Sequence, residues 1–386
     1  MFQKLKFLTA GESHGKGLSG ILEGIPAGLE ISEDYISAQL ARRQKGHGRG
    51  GRMKIEKDWA EIYSGVRHGK TLGSPVSLIL PNRDWENWRT KMSVEPDTSQ
   101  TKKITLPRPG HADLAGVEKY GFDDIRNVLE RSSARETAMR VALGSICRKL
   151  LNEFDIYVGS RVIQILDIMD NSPIPLKMSP VILNEKADAS SVRVLDKTAE
   201  ERMQKAIDLA GEKGDSVGGV FEVIATGLPY GLGSYVHWDR KLNTRLAAAV
   251  MSINAIKGVE IGAGFDSSER TGSDFQDEIT FSQGTYARRS NHAGGIEGGM
   301  SNAQPVLVKA VMKPIPTLRK PLASVDIVTK EELLAHKERT DVCAVPAASI
   351  VAESMVCLVL ADALLEKFGG DSVYQLKKHM AQTARY

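Results

Sequence analysis

One stretch constrains the fold of this chain more than any other: PAASIVAESMVCLVLADALLEKFGG, residues 346 to 370. Pro346 opens it at a position where a helix tolerates proline, and Gly369 stops it. The residues between are apolar on nearly every face, so a helix here must be covered on all sides. Glu353 and Asp362 interrupt the run from Ala347 to Leu365, whereas a membrane span asks for about 20 mostly uncharged residues. The stretch reads as a buried core helix.

What covers it is read from the rest of the pattern. The runs EIYSGV (61–66), PVSLIL (75–80), GGVFEVIATGL (218–228) and QPVLVKAVMKP (304–314) alternate with period 2, are rich in Val, Ile and Leu, and are bounded by Gly or Pro. They come in pairs and meanders, without a helix between each strand and the next. Two further helices stand out. SSARETAMRVALGSICRKLL carries the capping box Ser133-x-x-Glu136 and sets Met139, Ala142, Leu143, Ile146 and Leu150 on one face. DRKLNTRLAAAVMSINAIKG has Asp239 as its N-cap and Gly258 as its terminator. The expected class is α+β: a β-α-β sandwich with helices packed between antiparallel sheets. One domain spans 1–386, and residues 161–215, with Pro173, Pro175, Pro180 and the charged helix DKTAEERMQKAIDLAGEKGD, read as a peripheral insertion.

Charge is nearly balanced, with 51 basic against 48 acidic side chains, so nothing in bulk electrostatics favours nucleic acid or a membrane. Any functional positive charge is local. Cys147, Cys343 and Cys357 are odd in number and lack metal-ligand spacing, which suits reduced thiols and no metal site. The first residues lack the apolar core of a signal peptide, so a cytoplasmic protein is expected.

The local charge is arginine beside glycine. ARRQKGHGRGGRMK puts Arg42, Arg43, Arg49 and Arg52 within eleven residues, and guanidinium forks match phosphate and carboxylate oxygens. A solvated charged loop or an RNA contact are the alternatives, and no interleaved aromatic residues support RNA. PRPGHAD (107–113) and LERSSARET (129–137) form a second group, with Ser132, Ser133 and Arg135 at a helix opening suited to an anion. His14, in FLTAGESHGKGLSG (7–20), and His111 sit in turns and read equally as structural or catalytic. Asp341 is either a salt-bridged structural carboxylate or a tuned base. Two decoys fail on context. Gly15, Gly17 and Gly20 fit G-x-G-x-x-G, but Gly24 and Pro26 break the chain at once; GVRHGKT (65–71) is one residue short of a P-loop.

Taken together, GESHG, RRQKGHGRGGRM, RPGHAD, RSSARET, GGIEGGMSN, KPIPT and RTDVCAVPAA resemble the chorismate synthase family, in family order from residue 11 to residue 348. Thr340 and Ala303 depart from the pattern, where Ser and Gly are usual. The resemblance implies a lyase at the last common step of the shikimate pathway to aromatic amino acids. Its substrate, 5-enolpyruvylshikimate 3-phosphate, loses phosphate and a C6 proton by anti-1,4 elimination; reduced FMN is required and not consumed. It further implies His14 as the acid toward the departing phosphate, His111 near N1 of the flavin, and Asp341 assisting proton removal through flavin N5. Arg43, Arg49, Arg52, Arg108, Arg135 and Arg339 would hold substrate anions. Arg131, Ser132, Ser133, Asn254, Ala255, Gly298, Lys313, Pro314, Ile315, Pro316, Thr317 and Arg339 would cradle the flavin. A homotetramer is implied, with an external flavin reductase drawing on NADPH only indirectly, and with neither nucleic acid nor membrane as partner.

Overall fold

A computed structural model describes residues 2–50, 57–96, 101–173, 176, 178–338 and 340–383. Two antiparallel sheets frame the core. In the first, β1 (Lys6–Ala10), β2 (Gly17–Glu23), β3 (Glu61–Ser64) and β4 (Val76–Pro81) lie in the order β1-β2-β4-β3. β2 shows why one face is wet: Leu18 and Leu22 point into the core while Ser19, Ile21 and Glu23 point out. The second sheet contains β5 (Tyr157–Ile165), β6 (Ile168–Met169), β7 (Gly219–Thr226), β8 (Ile256–Ile261) and β9 (Val306–Met312), ordered β8-β9-β7-β5-β6. Its central strand β7 is buried on both faces, because the helix Pro180–Ala189 packs Leu183 against Ile224 and Leu307 on the outer side.

Helices pack within this frame and beside it. In chain order those that bear on the site are α1 (Glu33–Gln44), α2 (Asp113–Tyr120), α3 (Arg126–Ser132), α4 (Thr137–Asn152), α5 (Leu242–Met251) and α6 (Val345–Phe368); α1, α4, α5 and α6 belong to the main core, while α2 and α3 pack Val117 and Leu129 in a smaller one. α4 lies directly on the first sheet: a Cβ added at Gly20 would sit 2.6 Å from Met139 Sδ. α6 lies on the second sheet and against α4, where Gly144 leaves room for Ser354; a Cβ there would be 2.6 Å from that of Ser354. Apart from Glu366 and Lys367, every residue of α6 is buried, and each large apolar side chain so covered contributes about 1.5–3 kcal/mol. Helix α6 is also long and apolar enough to cross a membrane, and it is enclosed by the fold instead.

The two charges in α6 are both met. Glu353 accepts from Arg42 Nη1 at 2.9 Å, Arg193 Nη2 at 3.2 Å, Ser160 Oγ at 2.5 Å and Arg148. Burial pushes this carboxyl up, yet Arg42, Arg148 and Arg193 together outweigh it and hold it down at about 2. Asp362 accepts the backbone N–H groups of Gln3, Lys4 and Leu5, the last at 2.7 Å, and pairs with Arg245. The segment leading into β1 is thereby tied to α6.

Three expectations need correction. Residues 161–215 are not peripheral, since they begin within β5 and place Val162, Ile165, Val192, Val194, Met203 and Ile207 in the main core. Ser133 caps a 3-10 turn, Ala134–Glu136, by accepting from Arg135 N–H at 3.3 Å; Glu136 does not fold back onto Ser133 but binds Thr9 Oγ1 and Arg140. The helix expected from Asp239 to Gly258 is shorter. α5 ends at Met251, Ala255 turns the chain at φ +66°, and Gly258 lies in β8 beside a bulge. The apolar periodicity runs across a helix end and into the next strand, so the pattern hid the break.

Candidate active site

His14 lies in the loop from β1 to β2. The chain leaves β1 at Gly11, φ +105°, where a Cβ would meet the Gly17 carbonyl oxygen at 2.4 Å. Ser13 N–H donates to the Glu130 carbonyl at 3.0 Å and His14 N–H to Glu130 Oε2 at 2.8 Å. The imidazole Nδ1 is 3.0 Å from both carboxylate oxygens of Glu130. Trp88 stacks on the ring with centroids 3.8 Å apart. Arg126 lies 5.1 Å over Trp88 and donates to Glu130 Oε1 at 2.8 Å. Burial raises the Glu130 carboxyl, but the His14 contacts and Arg126 prevail and hold it below its ordinary value.

Asn82, just past β4, fixes the same loop from the other side. Its amide nitrogen donates to the carbonyls of Glu12, Ser13 and Gly15 at 3.3, 3.2 and 2.7 Å. Its oxygen accepts from Arg135 Nε and Nη2 at 3.2 and 3.0 Å. Arg135 continues to Asp58 Oδ1 at 2.5 Å, and Arg43 Nη1 is 3.7 Å from Asp58 Oδ2. Arg43 also donates from Nε and Nη2 to Thr137 Oγ1, while its buried Nη1 has no hydrogen-bond partner among the described residues. Burial pushes Arg43 down to about 10, opposed by Asp58 and aided by the neighbouring charges of Arg49 and Arg135. Two guanidiniums around one carboxylate leave a surplus positive charge beside the His14 loop. Such a surplus suits an anionic ligand.

Asp341 sits nearby, held by Arg49 Nη1 at 2.7 Å and by the Gly50 N–H at 2.6 Å. Before α2, His111 Nδ1 is 2.5 Å from Asp113 Oδ1, and Arg108 donates to Asp113 Oδ2 from Nε at 2.8 Å. Burial raises the Asp113 carboxyl; His111 and Arg108 reverse this and hold it well below the carboxylate range.

The positions expected around a flavin form a hydrogen-bonded wall. Asn254 Nδ2 donates to the Ser132 carbonyl at 3.0 Å, Lys313 N–H to the Ala255 carbonyl at 2.9 Å, and Lys313 Nζ to the Gly110 carbonyl at 2.6 Å. Arg108 Nη1 donates to Thr317 Oγ1 at 2.9 Å, which ties the segment Lys313 to Thr317 to His111. Ser216 Oγ donates to the Ile315 carbonyl at 2.7 Å. The left-handed φ of Ala255 is the kind of strain that persists where surroundings over-determine it. Arg131 and Asn254 line a cleft of about 420 Å3 with Phe7, Arg140 and Ser252.

Comparison with known proteins decides what this geometry belongs to. The family model described as chorismate synthase matches residues 5–365. The chain belongs to the chorismate synthase family. It is 56% identical to the chorismate synthase of Aquifex aeolicus, covering 97% of this chain and 96% of that one. It is 54% identical to that of Enterococcus faecalis over 99% of each. A solved structure titled "Crystal Structure of Chorismate Synthase" superposes with a TM-score of 0.79 at 44% identity, covering 100% of this chain and 98% of that one. Family membership makes the chain a carbon–oxygen lyase acting on phosphates.

Not every position expected of a chorismate synthase falls into one cluster. His14, Arg43 and Arg135 are joined through Asn82 and Asp58, and Arg49 joins Asp341. Arg108 donates to Asp113 and Thr317 and its Nη2 lies 3.0 Å from His111 Nδ1, which sets its guanidinium beside that ring. Arg131 donates to the carbonyls of Gly11 and Thr9 and so braces the His14 loop. Gly298 stands apart, on a second cleft of about 470 Å3 lined by Lys241, Asn243, His292 and Glu297. Arg52 and Arg339 lie outside the described residues. Sequence reasoning missed Asp58, Asn82, Trp88, Arg126 and Glu130. Glu130 stood within LERSSARET unassigned, and Asn82 and Asp58 belong to no motif.

Proposed function

We propose that the chain converts 5-enolpyruvylshikimate 3-phosphate to chorismate by anti-1,4 elimination, at the last common step toward the aromatic amino acids. The observation that carries this reading is the sharing of one buried carboxylate, Asp58, by Arg43 and Arg135 beside the loop that holds His14. A substrate with two carboxylates and a phosphate needs fixed positive charge, and a leaving phosphate needs an acid within reach. Arg43, Arg49 and Arg135 would bind the anionic groups; His14 would hold the proton delivered to the departing phosphate oxygen. Asp341, held by Arg49 and the Gly50 N–H, would assist removal of the C6 proton. Burial of these charges strengthens their pull on a bound anion.

The donor set fits a flavin. Backbone and side-chain polar groups along Ser132, Asn254, Ala255, Lys313 and Thr317 are held rigid by the bonds described, as a planar ligand requires. When bound, reduced FMN supplies electron density to a reaction with no net redox change. This chain's residues would hold it, orient it and exclude water; His111, pinned by Asp113 and Arg108, would present a ring nitrogen to its edge. Gly298 would reach the site only from a second copy, in keeping with a homotetramer. Reducing power would come from a separate flavin reductase.

The test is an anaerobic assay of 5-enolpyruvylshikimate 3-phosphate with chemically reduced FMN, following chorismate and phosphate together, repeated with oxidised FMN plus NADPH. Equal chorismate and phosphate with pre-reduced flavin alone supports both the elimination and the external reductant. Turnover with NADPH would show intrinsic flavin reduction. No chorismate from folded, FMN-loaded protein would overturn the reading.

A further inference from the structure

The contacts of His14 go beyond what an acid at the end of a loop needs. Its backbone N–H and its ring Nδ1 both bind the same carboxylate, at 2.8 and 3.0 Å, so the main chain and χ angles of His14 are fixed by one group. That carboxylate is itself immobile: Glu130 is 3% exposed, sits on α3, and is gripped by Arg126 at 2.8 Å. Trp88 covers a face of the imidazole and fixes the plane of the ring.

We infer that Glu130 is the positioning residue of His14, holding a proton on Nδ1 so that transfer takes place at Nε2. A carboxylate that accepts from one imidazole nitrogen selects the tautomer and stabilises the charged ring, which leaves the other nitrogen to do the chemistry. Glu130 touches neither substrate nor flavin in this role. Arg126 keeps the carboxylate ionised and aimed, and Trp88 limits the ring to one plane. The inference rests on the reading of His14 as the acid of the elimination.

The experiment uses the full chain with 5-enolpyruvylshikimate 3-phosphate and chemically reduced FMN. Glu130→Gln keeps the shape and an acceptor while removing the charge. The expected result is a fall in kcat of about 10–100-fold, the usual range for losing a group that orients another, with KM changed less than about threefold. A purely structural Glu130 would lower the thermal midpoint and disturb KM along with kcat, so the split between the two is the readout. Wild-type kcat in Glu130→Gln would overturn the inference. Should that variant not fold, Glu130→Asp carries the test: it keeps the charge but withdraws it by one methylene, and wild-type kcat there would overturn the inference equally. His14→Gln separates the two ideas. If it retains full turnover, the reading of His14 itself fails; if it is inactive while Glu130→Gln is fully active, Glu130 alone is refuted.

Discussion

Asn82 and Arg135 form the joint of this site: the Asn82 amide oxygen takes two hydrogen bonds from the Arg135 guanidinium while its nitrogen spans three carbonyls of the His14 loop. The histidine proposed as the acid and an arginine proposed to bind substrate anions are thus referenced to one side chain. Asn82→Ala removes all of these contacts and leaves buried carbonyls unmet, each costing about 1–3 kcal/mol if water does not replace the donor. We expect a lower thermal midpoint and a fall in kcat of roughly 100-fold, of the size seen when reacting groups lose their alignment. Steady-state kinetics beside a melting curve checks this; unchanged kcat would show that the loop holds its shape without Asn82.

Asp341 is bound to Arg49 and Gly50 yet remains partly open, so Asp341→Asn should preserve the fold. It should lower kcat by about 100-fold or more, the contribution typical of a positioned proton acceptor. Substrate affinity, measured by equilibrium binding in the presence of oxidised FMN, should change little. A large loss of affinity with normal kcat would instead make Asp341 a brace for Arg49.

Glu353 makes stability depend on acid. Its folded value of about 2 lies below the ordinary carboxylate value near 4.3. Its contribution is therefore fully present above about pH 4.3 and is lost as pH falls through that value toward about 2. Glu353→Gln removes the buried charge that Arg42, Arg148 and Arg193 share, leaving Asp188 as the remaining carboxylate of Arg42 and Arg193, at a cost of about 3–5 kcal/mol. Denaturant unfolding at pH 7 reads the loss, and the variant should show a smaller fall in stability between pH 5 and pH 3 than the parent.

Gly11 and Gly28 make a matched pair. Both have positive φ, +105° and +88°, but a Cβ at Gly11 meets the Gly17 carbonyl oxygen at 2.4 Å while one at Gly28 meets nothing within 4 Å. Gly28→Ala should cost only backbone strain, about 1–2 kcal/mol. Gly11→Ala should cost more and lower turnover as well, since it displaces the His14 loop. Thermal melts and kinetics on both variants decide; equal, small losses would show that the loop relaxes.

Legibility followed the range of the forces. The helix around Ile350 to Leu365 could be read because its apolar residues act locally on the choice of structure, and the strands through Leu78, Val223 and Val308 because alternation is a property of neighbours. The motif segments marked His14, Arg135 and Asp341 as well. Glu353 could be seen interrupting an apolar run, but its partners stand 311, 205 and 160 residues away, and no local pattern announces them. Asp58 and Asn82 are hidden for the same reason. The end of α5 was misread because Ile253 and Ile256 prolong the apolar pattern past the turn at Ala255.

Helix α6 is made after every described strand it separates or covers. On a ribosome, both sheets and α4 therefore emerge with their inner faces bare, and Asp362 is not yet present to receive Leu5 or Arg245. The inner faces of both sheets are closed only when α6 is added between them. A polypeptide halted before residue 345 would carry His14, Asn82 and Arg135 without the helix that fills the centre of the fold.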